Sequence, residues 1–132
     1  MNSLTAQQAA TVIEAARAKA EDIGVPMNIA VVDAGANLKG FLRMDDAWLG
    51  SIDISIRKAK TARYFDMPTG ALGKLSQPGE PLYGIEVTNG GLVSFPGGIP
   101  LKNGDVIIGA IGVSGGSVKQ DQEVAEAGVA SL

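Results

Sequence analysis

Arg43-Met44-Asp45-Asp46-Ala47-Trp48 is the densest polar cluster at an element boundary, and it closes an apolar run. Arg43 at such a boundary can clamp a carboxylate through paired hydrogen bonds while Asp45 orients the clamp. The two side chains can equally pair with one another at a strand end and do no chemistry. Trp48 either walls a pocket or plugs the core. Lys60 acts as an amine only if its surroundings lower its basicity. Tyr83, like Tyr64, offers a phenolic proton or an axial oxygen ligand, against the alternative of a packed, hydrogen-bonded ring. Arg43, Asp45, Lys60 and Tyr83 are therefore the catalytic candidates.

The 132 residues include no cysteine and no histidine. That excludes disulfides, thiolate nucleophiles, cysteine- or histidine-held metals and Ser-His-Asp catalysis. No metal-ligating set remains in the reading. Backbone amides become more important instead, because 18 residues are glycine. Gly97 and Gly98, followed by Ile99 and Pro100, can bring backbone close to a ligand. Gly115, Gly116 and Ser117 open a helix, where free amides can hold an anion. Each loop also has a plainer reading, as a tight turn needing unusual dihedrals. The glycines match neither a phosphate-loop nor a dinucleotide fingerprint.

Several elements must position these groups. Thr5–Glu21 reads as a helix, with Thr5 and Gln8 as a capping box and Gly24 as its stop. Met27–Val32 and Leu38–Met44 read as a hairpin about Asp33-Ala34-Gly35. A second helix begins near Ser51 and is limited by Pro68, with Ile52, Ile56, Ala59 and Arg63 at helical spacing. Lys58, Lys60 and Arg63 read as its solvated face, suited to the helix dipole. The other reading sends one of them into an anionic pocket or subunit contact. Thr69–Leu75 is a short helical turn. Tyr83–Thr88 and Gly91–Phe95 read as a second hairpin around Asn89-Gly90. Asn103-Gly104 marks a turn, Asp105–Ser114 is the most apolar strand, and Ser117 with Gln120 caps the last helix. Asp121 and Glu123 stabilise that helix's first turn whatever else they do. This order is α+β with a mainly antiparallel sheet, in one domain spanning residues 1–132.

Charge and hydropathy narrow the partners. Eleven basic and 14 acidic residues give a net charge of -3, which argues against nucleic acid. No apolar run approaches a membrane span of about 20 residues, so no membrane partner is expected. The amino-terminal segment reads as helix rather than as a signal peptide, and a cytoplasmic location is the expectation.

The segments Phe41–Asp45 with Ala47-Trp48, and Ser55 with Lys58–Ala62 and Phe65, carry a family resemblance. Gly97–Leu101 and Gly109–Gly116 with Gln120-Asp121 and Val124–Gly128 continue it in order through nearly the whole chain. Together they resemble the haem-degrading, GlcG/HbpS-like family, also described as DUF336 and as the carboxy-terminal domain of PduO-type proteins. The resemblance implies a profilin-like three-layer α-β-α fold with a five-stranded antiparallel sheet. It also implies homo-oligomers, as dimers, tetramers or octamers, and a small-molecule ligand. By position its pocket involves Arg43–Asp45, Gly97–Pro100 and Gly112–Ser117. The expected function is binding of an anionic metabolite in a glycine-lined pocket. The alternatives are haem or tetrapyrrole binding or degradation, with haem the possible cofactor, or an enzyme acting on a small organic acid. Without histidine, haem iron here needs another ligand.

Overall fold

The computed structural model describes residues 2–132. Four α-helices and four strands follow in the order α1 (Ala6–Ile23), β1 (Asn28–Asp33), β2 (Leu38–Arg43), α2 (Gly50–Phe65), α3 (Thr69–Leu75), β3 (Gly98–Asn103), β4 (Val106–Ser114) and α4 (Val118–Ala130). Both expected capping boxes form. Thr5 Oγ1 accepts from the Gln8 N–H at 3.1 Å and Gln8 Oε1 from the Thr5 N–H at 2.9 Å. Ser117 and Gln120 repeat the arrangement at α4. Gly24, at φ +72°, ends α1 in the left-handed conformation that glycine adopts without strain.

The strands form one antiparallel sheet in the order β2-β1-β4-β3. Helices α1 and α4 pack together on one face, over a core that includes Val12, Ile29, Val31, Ile111 and Val124. Helix α2 covers the other face above Ala30, Val32 and Ala110. The small residues have a purpose there. A Cβ on Gly112 would lie 2.0 Å from the Ser55 carbonyl oxygen, so α2 and β4 touch backbone to backbone. The buried stripe of α2 is consequently Ser51, Ser55, Ala59 and Ala62, while Ile52 and Ile56 are only half-buried.

The sheet has four strands, not the expected five, and neither Tyr83–Thr88 nor Gly91–Phe95 is a strand. Ile85–Val87 is instead a single 3-10 turn. Gly84, Asn89, Gly90 and Gly91 all take positive φ, which breaks an extended run at both ends and in the middle. The β3 edge also offers that segment no N–H to pair with. The Val113 N–H donates to Gly97 O, so Ile99 and Leu101 face β4 while Gly98 and Pro100 face outward. The Gly98 N–H is taken by Thr69 Oγ1 at 2.9 Å, and Pro100 has no N–H to give. No helix among the described residues is long and apolar enough to cross a membrane.

Candidate functional site

Helix α3 is short and carries two glycines on one side. A Cβ on Gly73 would meet the Ser94 carbonyl oxygen at 2.0 Å, and one on Gly70 would meet Pro96 Cγ at 3.1 Å. This close seating leaves a groove between α3 and the first turns of α4, with a volume of about 480 Å³. Pro68, Ala71, Pro96 and Val118 supply apolar walls; Lys74 and Lys119 supply cations. Gln122, Glu123 and Glu126 are its oxygen donors. A second recess of about 430 Å³, lined by Ile99, Pro100 and Val129, meets the first at Pro68. The second recess runs along β3, beside Ile99, Pro100 and Lys102.

Behind the groove lies a buried ion pair. Lys58 Nζ donates to Asp121 Oδ2 at 2.9 Å and to the Val113 carbonyl at 2.8 Å. Asp121 Oδ1 accepts from the Gly116 N–H at 2.9 Å, so both charges are satisfied. The Lys58 side chain is 0% exposed, and its ammonium sits 5.0 Å from the centroid of the Phe95 ring. Burial pushes the Lys58 amine below its ordinary value, with the Asp121 charge and hydrogen bond opposing that shift. Gly97, at φ +127°, makes room for the ammonium, because a Cβ there would lie 2.6 Å from Nζ.

This overturns the assignment of Lys58 to a solvated face. Lys60 and Arg63 are half-buried at the surface, whereas Lys58 extends along the small-residue stripe and past the sheet. Its position three residues after Ser55 and four before Ala62 was the available signal. The pairing with Asp121 spans 63 residues and leaves no local mark in the sequence.

The other site residues are spread over the molecule. Gly97, Gly98 and Gly115 are buried. Their loops' amides are engaged: Gly97 N–H with Gln122 Oε1, Gly98 N–H with Thr69, Gly116 N–H with Asp121 and Ser117 N–H with Gln120. Arg43 and Asp45 are exposed in a recess of about 310 Å³ beside Arg17 and Glu21. Arg43 ends β2 and Asp45 follows it, at the sheet edge opposite β3, so the topology separates them from the Gly97–Pro100 loop. Trp48 is 66% exposed and Tyr83 equally so. Asn28 Nδ2 donates to the Trp48 carbonyl, which fixes that turn by its backbone rather than its ring. Lys60 lies in a polar recess of about 230 Å³ with Arg57, Tyr64 and Asn89.

Similar proteins carry this architecture. An uncharacterised 15.0 kDa protein from the dhaT-dhaS intergenic region of Citrobacter freundii is 43% identical over 125 residues, covering 94% of this chain and 88% of that protein. The corrinoid adenosyltransferase PduO of Citrobacter freundii is 38% identical over 131 residues. The chain aligns there over 98% of its own length but spans only 39% of PduO. The crystal structure of a PduOC–haem complex superposes with a TM-score of 0.94 at 35% identity, covering 98% of this chain and 95% of that one. Residues 4–130 match the model of the haem-degrading protein HbpS-like family, and the chain belongs to that family.

Proposed function

We propose that this protein binds a flat, carboxylate-bearing small molecule of the tetrapyrrole class in the groove between α3 and α4. The observation carrying this reading is the pairing of apolar walls with two cations in one recess. Pro68, Ala71, Pro96 and Val118 suit a macrocycle's face, and Lys74 and Lys119 suit its carboxylates. The haem complex of a 35% identical relative supports the ligand class. Lys74 and Lys119 fit the ring's acidic substituents, and Glu123 and Glu126 in the same lining oppose them. For a metal at the ring's centre, the groove offers the carboxylate oxygens of Glu123 and Glu126. A bound haem would supply the ligand-exchange and redox chemistry of its iron; the chain's own residues bind and orient it.

In this reading the anionic end of the ligand is held by lysine ammonium groups. The glycines act from behind, by letting the Pro96–Pro100 loop and β4 close against α2. Haemin titration with the Soret band as readout tests the proposal. Saturation at one ligand per chain is expected, weakened by Lys74→Glu and Lys119→Glu and unchanged by Arg43→Ala. A titration without saturation, or one indifferent to both lysines, overturns it.

A further inference from the structure

Asp53, Arg57, Lys60 and Tyr64 follow one another along one face of α2, at i, i+4, i+7 and i+11. The Asn89–Gly91 turn closes over them and completes the polar recess of about 230 Å³. Arg57 builds its wall. Its Nε donates to Asp53 Oδ2 at 2.7 Å, and its Nη1 donates to the Gly90 and Gly91 carbonyls at 2.5 and 2.9 Å. A Cβ on Gly91 would lie 2.5 Å from that Nη1, so glycine lets the turn come down onto the guanidinium. The bonding is one-sided. The turn's carbonyls and Asp53 are engaged by Arg57, and Asn89 Nδ2 donates to Thr88 Oγ1. Donors are what remain. Among the described residues, Lys60 joins no ion pair, and the Tyr64 hydroxyl and Arg57 Nη2 bond to no other part of the chain. With Asp53 balanced by Arg57, the half-buried Lys60 leaves the recess one positive charge in excess.

We propose that this recess binds a phosphate group, either free or as the ester of a small metabolite. Guanidinium, ammonium and phenol line one small space, and a tetrahedral oxyanion can accept from all three at once. A carboxylate, with two oxygens in one plane, leaves one of the three unused. Arg57 is held in place by its other three bonds, so little side-chain freedom is lost when its remaining N–H groups donate. Lys60 supplies the charge, and Tyr64 supplies a neutral donor at the rim. The site is independent of the groove between α3 and α4, with which it shares no lining residue.

Titration of the parent chain at constant ionic strength, followed by amide NMR shifts, tests the proposal with two probes, inorganic phosphate and glycerol phosphate. Saturable shifts centred on Lys60, Tyr64, Gly90 and Gly91 are expected. Tighter binding of one probe than the other then tells a site for the free ion from a site for an ester. Lys60→Met is expected to weaken binding about tenfold or more, and Lys60→Arg to recover most of that loss. Tyr64→Phe, which removes only the hydroxyl, is expected to weaken it about threefold. Lys39→Met, at an exposed lysine on β2, is expected to change nothing. Shifts that fail to saturate with either probe, or that spread over the exposed lysines, overturn the proposal. So does an affinity no more sensitive to Lys60→Met than to Lys39→Met.

Discussion

Lys58 on α2 and Asp121 on α4 approach to 2.9 Å although their helices lie on opposite faces of the sheet. The contact passes beside Gly97, where no side chain intervenes. It ties the two helical layers together. Replacing one member leaves the other charged and buried, which costs about 3–5 kcal/mol. Asp121→Ala and Lys58→Met are each expected to lose that much by urea denaturation. The double variant Lys58→Met with Asp121→Leu is expected to lose clearly less than the two single losses added together, because it leaves no lone charge. Additive losses would contradict a coupled pair.

The same amine sets a pH dependence. Burial holds Lys58 below its ordinary value of 10.5, so between the folded and unfolded values the unfolded chain binds more protons. Stability then rises with pH across that window. The unfolding free energy of the parent, measured relative to Lys58→Met, is expected to increase as pH rises through the window between the folded and unfolded lysine values. A difference that stays flat or falls contradicts the assignment.

Two glycine substitutions separate crowding from dihedral strain. Gly112→Ala forces a Cβ against the Ser55 carbonyl oxygen and the Ala59 nitrogen, both backbone atoms. A loss at or above the upper end of the usual 1–3 kcal/mol for overpacking, about 3 kcal/mol, is expected. Gly24→Ala meets nothing within 4 Å and strains only φ, for about 1–2 kcal/mol. Thermal or chemical unfolding of the two variants should preserve that order.

Thr69→Val removes the acceptor of the buried Gly98 N–H while keeping the side chain's shape. An unsatisfied buried donor costs about 1–3 kcal/mol. Hydrogen exchange at Gly98 is expected to accelerate beyond its neighbours in β3. Exchange that stays slow would mean another group has taken the donor.

Ligand binding through Lys74 and Lys119 should respond to salt, because both cations are exposed. Exposed ion pairs contribute about 0.2–1 kcal/mol each. Haemin affinity is expected to fall by up to about tenfold from low to high ionic strength as that contribution is screened. An affinity independent of salt would leave the lysines without a role.

Much of this arrangement is written locally in the sequence. Thr5 with Gln8, and Ser117 with Gln120, mark the starts of α1 and α4 because capping involves neighbours three residues apart. The Asp33 turn likewise sets the first hairpin through its own carboxylate, which accepts from the Gly35 and Asn37 N–H groups. Lys58 escaped because charge argued for solvent while its partner lies on the last helix. Tyr83–Phe95 escaped because strand-favouring residues there are overruled by four positive φ angles. The groove depends on α3 meeting α4, and nothing in either segment names the other.

Thr69 and Pro100 carry a consequence for solubility. A sheet with two receptive borders can add copies at both and grow into a fibre, whereas one with a single receptive border stops once it is matched. Over Gly98–Leu101, the only outward-facing main-chain N–H is already occupied. Over that stretch β3 gives an incoming strand no free N–H to pair with, so this border resists strand addition. Thr69 closes that border from a place in the chain that is not itself a strand.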